Sequence, residues 1–172
     1  MVIGPSGAGK STLTTAFVAA HPQYELIRTQ TTRPRRLGEA DTHLFVDEAT
    51  FAATDYLGTL DIFGARYGLP PFDSRLKPIV LLRVFALDQF RAIFPDARVL
   101  QVEAPVEQLV VRLRARGDTD RADVVSLQRE IDLGRADADA VVDTSGTVGA
   151  GQAGFAAAIL TPDSGRRNRR HG

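Results

Sequence analysis

A chain of 172 residues, 44% apolar and 24% charged, has room for one soluble domain with a core of ordinary size and too little for two. Its 21 basic and 21 acidic side chains cancel, which removes the bulk attraction that general nucleic-acid or membrane-surface binding relies on. Cysteine is absent, so disulfides, thiolate metal sites and cysteine nucleophiles are excluded.

The chain opens with a scrap of apolar strand, Met1-Val2-Ile3, followed at once by Gly4-Pro5-Ser6-Gly7-Ala8-Gly9-Lys10-Ser11-Thr12. G-x-x-x-x-G-K-S between a strand and a helix is a phosphate loop. The glycines let successive N–H groups point into one concavity, and the helix over 11–20 adds its own unpaired N–H groups and the positive end of its dipole. Lys10 is then placed for the β- and γ-phosphates of ATP, and the Ser11 hydroxyl for Mg²⁺. Only two lysines occur, Lys10 and Lys77, so a chain that otherwise uses arginine keeps a compact ammonium here. Strand one is short because the chain begins three residues before Gly4, which leaves room for a start further upstream. No apolar run is long enough to span a membrane and no signal-peptide pattern precedes the loop, so a cytoplasmic protein is expected.

His21-Pro22 stops the first helix, and residues 24–29 alternate as a second strand. Thr31-Thr32-Arg33-Pro34-Arg35-Arg36-Leu37-Gly38-Glu39 carries three guanidiniums within four positions, and so soon after a phosphate loop it is read as an anion-binding segment. A strand is expected at 44–46, a helical turn or two at 48–53, another strand at 57–63 and a turn at 64–68, with Pro70-Pro71 closing the unit. The apolar run 78–84 suits a parallel strand covered on both faces. Helix 86–94, strand 98–102, helix 106–116, a break at 117–120, helix 122–136, strand 140–143 and helix 152–160 follow. Alternating strands and helices indicate an α/β fold with a parallel sheet. The segment 163–172 is basic, lacks apolar residues and is expected to be disordered.

The phosphate loop, the string Thr31-Thr32-Arg33-Pro34-Arg35-Arg36-Leu37-Gly38-Glu39, Tyr67-Gly68 and Arg112-Leu113-Arg114-Ala115-Arg116-Gly117 together resemble the guanylate kinases over nearly the whole chain up to about residue 160. The resemblance implies a P-loop NTPase fold over 1–162: a five-stranded parallel core (1–31 and 72–162), an acceptor-binding insertion (about 32–71) and a lid (about 117–122). It implies transfer of the γ-phosphoryl of ATP, with Mg²⁺, to a small-molecule acceptor, GMP giving GDP, in a monomer or homodimer without nucleic-acid or membrane partners. Arg33 and Arg36 match arginines that hold the acceptor phosphate, Tyr67 a tyrosine on the same phosphate, and Thr29 a hydroxyl that contacts guanine. Arg116 matches an arginine on the transferring phosphoryl, and Arg129 is expected as a second lid arginine. His43 falls where a phosphate-binding tyrosine is expected, and Asp61 is the nearest carboxylate for reading guanine, although its spacing to Tyr67 is about three residues short. Leu82, Arg83 and Val84 stand where guanylate kinases commonly carry aspartates. The departures bring ribose bisphosphate phosphokinases close, whose sugar acceptor needs no guanine-reading carboxylate. A non-catalytic guanylate-kinase-like binding module and a phosphate-loop ATPase are the alternatives from other classes.

Overall fold

The computed structural model describes residues 1–35, 42–62 and 64–161. Strand β1 (Val2–Ile3) runs into the phosphate loop and helix α1 (Lys10–Ala20). After β2 (Tyr24–Ile27), the chain builds β3 (Thr29–Thr31), β4 (His43–Phe45), helix α2 (Glu48–Ala53), β5 (Gly58–Ile62) and β6 (Ala65–Leu69). It then returns through β7 (Lys77–Val80), a 3₁₀ turn (Val84–Ala86), α3 (Leu87–Ile93), β8 (Leu100–Glu103) and α4 (Val106–Ala115). A second 3₁₀ turn (Thr119–Arg121), α5 (Val124–Asp137), β9 (Ala140–Asp143) and α6 (Val148–Leu160) complete it.

Strands β1, β8 and β9 form one parallel set and β2 with β7 another. A parallel bridge from Val2 to Leu81 joins them, and the Leu82 N–H donates to the Val2 carbonyl at 2.9 Å. Five parallel strands therefore run in the order β2-β7-β1-β8-β9. Neighbours along each central strand fall on opposite faces. Val2, Ile79 and Leu81 pack with Leu13, Phe17, Leu109, Leu113, Ile131 and Phe155 on one side. Ile3, Val80 and Leu82 pack with Leu69, Leu87, Phe90 and Val99 on the other. The apolar run at 78–84 has this origin, since a strand covered on both faces has no polar alternate positions. It leaves the sheet earlier than the sequence suggests, with Val84 already in the 3₁₀ turn.

The insertion forms its own four-stranded sheet, β4-β3-β6-β5. Residues 64–68, expected as a turn, are mostly strand: Gly64 turns the chain at φ 71° and β6 pairs antiparallel with both β5 and β3. Helix α6 starts four residues before the expected 152, because the Thr147 hydroxyl accepts from the Ala150 N–H at 3.2 Å and caps a glycine-rich first turn. Among the described residues, no helix is long and apolar enough to cross a membrane.

Candidate active site

The parallel strands deliver their C-terminal ends to one side of the sheet, where open α/β folds bind ligands. A cavity of about 440 Å³ lies there, lined by the phosphate loop, the insertion sheet, the start of α3 and the segment between α4 and α5.

Gly4, Gly7 and Gly9 all have positive φ, at 140°, 84° and 91°. At Gly4 a Cβ would lie 2.0 Å from the Val102 carbonyl oxygen, so the loop leaves β1 against its neighbour strand only with glycine there. Gly9 caps α1 without a side-chain hydrogen bond, leaving the first-turn N–H groups for a ligand. The Lys10 ammonium donates to the carbonyls of Gly4 at 2.7 Å and Pro5 at 2.9 Å. Enclosure of that ammonium lowers its pKa to about 7; the Arg83 guanidinium pushes the same way, as do Arg121 and Arg116, while Glu130 opposes them. Phosphate oxygens arriving there would restore the full charge. The Ser11 hydroxyl lies 3.4 Å from that of Thr42. A Mg²⁺ ion fits this arrangement, because it is commonly bound through one or two protein oxygens, with phosphates and water completing the shell.

Across the cavity, Arg33 is only 8% exposed although it carries a full charge. Its Nε donates to the Tyr67 hydroxyl at 3.0 Å, its Nη1 donates to the Pro34 carbonyl at 3.0 Å, and its guanidinium lies 5.1 Å from the centre of the Phe45 ring. Arg121 donates to the same tyrosine hydroxyl at 3.5 Å. Thr29 and His43, opposite each other in the β3–β4 register, share a 2.7 Å hydrogen bond between Oγ1 and Nδ1. Arg116 lies 3.5 Å from Asp118, and both line the cavity. Cations from the phosphate loop, the insertion and the α4–α5 segment thus converge on one space, as two polyanions brought into line require.

No family model matches the chain. A guanylate kinase of Chromobacterium violaceum is 35% identical, covering 83% of this chain and 73% of that one. The chain belongs to the guanylate kinase family. A ribose 1,5-bisphosphate phosphokinase of a Ruegeria strain is 36% identical, over 72% of this chain and 69% of the other. The crystal structure of guanylate kinase from Anaplasma phagocytophilum shares the fold with a TM-score of 0.62 at 19% identity, covering 85% of this chain and 77% of that one. Membership in the guanylate kinase family makes the chain a kinase of nucleotides or sugar phosphates.

Against the residues expected of a guanylate kinase, the structure brings together Lys10, Ser11, Thr12, Thr29, Arg33, His43, Tyr67 and Arg116 on one cavity. Arg36 lies outside the described residues. Asp61 does not line the cavity: its side chain is 83% exposed and lies 3.9 Å from Arg66. The reason is strand alternation. Gly58, Leu60 and Ile62 of β5 line the cavity, so Thr59 and Asp61 between them point the other way. Arg129 is exposed on α5 and is not among the residues lining the cavity; the next residue, Glu130, is buried. Arg121, eight residues earlier, takes the place in the cavity expected of Arg129.

Sequence reasoning also missed how the loop is clamped from behind. Arg112 donates to the Thr144 carbonyl at 2.6 Å and to the Gly7 carbonyl at 3.4 Å, and the Thr144 hydroxyl donates to the Ala8 carbonyl at 3.0 Å. The position of Thr144 just beyond the last parallel strand was the available signal.

Proposed function

We propose that this protein moves the γ-phosphoryl group of Mg²⁺-bound ATP onto the phosphate of a small acceptor. The supporting observation is that Lys10, Ser11, Arg33, Tyr67, Arg116 and Arg121 all line one cavity. An acceptor phosphate oxygen attacks the γ-phosphorus, the bond to the β-phosphate oxygen breaks, and ADP leaves with the bonding electrons. The attacking oxygen is already ionised, so no general base is needed. The loop N–H groups and Lys10 hold the β- and γ-phosphates, Arg33 and Tyr67 orient the acceptor phosphate, and Arg116 and Arg121 neutralise charge spread over the moving group. A Mg²⁺ ion held at the Ser11 hydroxyl would supply further neutralisation of phosphate charge.

The acceptor reading that this geometry favours is a sugar phosphate. Beyond Arg33 and Tyr67 the wall is Leu60, Ile62, Leu69 and Phe90, with Thr29 and His43 as its hydroxyl and imidazole; the one carboxylate among the described lining residues, Asp118, stands on the far side beside Arg116. Guanine needs two acceptors for its N1–H and amine, and an unpaired edge is strongly discriminated against. GMP is the second reading, favoured by the apolar wall of Leu60, Ile62, Leu69 and Phe90, against which a base ring could pack. ADP release with ribose 1,5-bisphosphate, GMP, dGMP, AMP, UMP and CMP as acceptors separates them. Ribose 1,5-bisphosphate is expected to be used best; a preference for GMP reverses the acceptor reading, and ADP release independent of any acceptor overturns the kinase reading.

Two substitutions sharpen this. Asp61→Asn is expected to leave the acceptor KM unchanged, since the side chain points away; a tenfold rise would place it in the site after all. His43→Ala is expected to raise the acceptor KM roughly fivefold, the loss of about one hydrogen bond. The segment 117–122, flanked by Arg116 and carrying Arg121, is proposed to close as a lid when both substrates bind. Amide exchange across it is expected to slow with a bisubstrate analogue, and equal exchange with and without the analogue would remove the lid.

A further inference from the structure

One charged pair at the cavity, Arg83 with the buried Glu130 behind it, has so far entered only through its effect on the Lys10 charge. Arg83 follows β7, where guanylate kinases commonly carry aspartates, and lines the cavity between the phosphate loop and the wall formed by Leu82, Ala86 and Phe90. Its Nη1 donates to the Ser6 hydroxyl of the loop at 3.3 Å. Its Nη2 makes a short ionic hydrogen bond to Glu130 of α5. The Glu130 side chain is 2% exposed and that of Arg83 17%, so the carboxylate is interior while the guanidinium borders the cavity. Glu130 Oε2 is buried and makes no hydrogen bond among the described residues. The same two residues act most strongly, after burial, on the charge of Lys10, so both stand close to the ammonium that the β- and γ-phosphates would meet.

A buried carboxylate that held one guanidinium for packing alone would be an expensive device, since such pairs are often replaced by apolar side chains without loss of stability. This pair is placed otherwise: cation toward the cavity, anion behind it, one end tied to the phosphate loop and the other to the helix that follows the proposed lid. We propose that Arg83 is a phosphate-binding residue of the transfer reaction, contacting the γ-phosphoryl end of the triphosphate, and that Glu130 is a positioning residue that holds its guanidinium beside Lys10 in the absence of ligand. The carboxylate offsets the repulsion between two cations that must share one small space before phosphate arrives. Arg83 then stands between donor and acceptor, where charge accumulates as the phosphoryl moves. This rests on the kinase reading above, and its test needs no acceptor.

The test is the affinity of the full chain for ATP and for ADP, read by displacement of a fluorescent nucleotide. Arg83→Met with Glu130→Met replaces the pair by apolar side chains of similar length, and its melting temperature is expected to stay near that of the parent. ATP affinity is expected to fall at least about tenfold while ADP affinity changes far less, because only ATP carries the group that Arg83 meets. A folded double variant with an unchanged ATP-to-ADP ratio overturns the assignment. If that variant does not fold, Arg83→Gln reads the same ratio with a shorter, neutral but still polar side chain at the position, and an unchanged ratio there overturns it equally. Glu130→Gln keeps the guanidinium hydrogen-bonded and is expected to preserve the ratio within about threefold. A loss in Glu130→Gln as large as that in Arg83→Gln overturns positioning by a hydrogen bond and assigns the effect to the carboxylate's charge. Because no acceptor is involved, a failure of the acceptor panel and a failure of this assignment are told apart.

Discussion

Lys10→Ala is expected to lower kcat at least about a hundredfold, the usual cost of removing one preorganised group that meets developing charge. Its second effect distinguishes catalysis from folding. Without ligand, Lys10 holds the Gly4 and Pro5 carbonyls, but its ammonium is enclosed beside Arg83, Arg121 and Arg116. The variant loses those hydrogen bonds but is relieved of the buried charge, and the two effects oppose each other, so the ligand-free melting temperature is expected to change little. The nucleotide-dependent part should vanish. Saturation at a hundred times Kd stabilises a protein by about 2.7 kcal/mol, about 5–10 °C for a chain of this size. A thermal melt with and without ATP measures both. Undiminished turnover in a folded Lys10→Ala protein would remove the loop from catalysis.

Arg33→Ala is expected to raise the acceptor KM about thirtyfold to a hundredfold and leave ATP affinity unchanged. A hydrogen bond to a charged group contributes about 1.5–3 kcal/mol, and each 1.4 kcal/mol is tenfold in binding. Arg33 reaches the upper end of that range because it is already fixed: Tyr67, the Pro34 carbonyl and the Phe45 ring hold the guanidinium before any acceptor arrives, so little side-chain entropy is lost on binding. Arg33→Lys should rescue poorly, since an ammonium cannot both reach Tyr67 and present a planar fork to phosphate. Steady-state kinetics with each substrate varied in turn measures the split. An equal rise in both KM values would place Arg33 in general folding of the insertion.

The sequence carried the parts of this site whose physics is local. A phosphate loop is built from consecutive residues, so Gly4 to Thr12 could be recognised without the rest of the chain. The parallel core was legible where a strand is covered on both faces, as at Ile79 to Leu82, whose apolar run is unbroken. What depends on distant pairing was hidden. β6 read as a turn because Gly64 and Gly68 dominate it locally, while its strand character comes from β3 and β5 on either side. Asp61 was counted as near the acceptor because sequence distance does not carry the parity of a strand. The Arg83–Glu130 pair joins residues 47 apart, and neither end carries a local mark of it. Arg129 and Glu130 show the same limit on a helix, where one step in sequence turns the side chain from solvent to interior.

The parity of β5 also bears on how kinases of this kind part company. Gly58, Leu60 and Ile62 line the cavity, and Thr59 and Asp61 meet solvent, only because of where the strand enters its pairing with β6. A one-residue change in hairpin length would exchange the two sets at a stroke, turning a hydroxyl and a carboxylate inward and two aliphatic side chains out. Catalytic groups on the phosphate loop and beyond α4 would not move. Descent with a single inserted or deleted codon could therefore alter what is phosphorylated while leaving untouched the means of phosphorylating it.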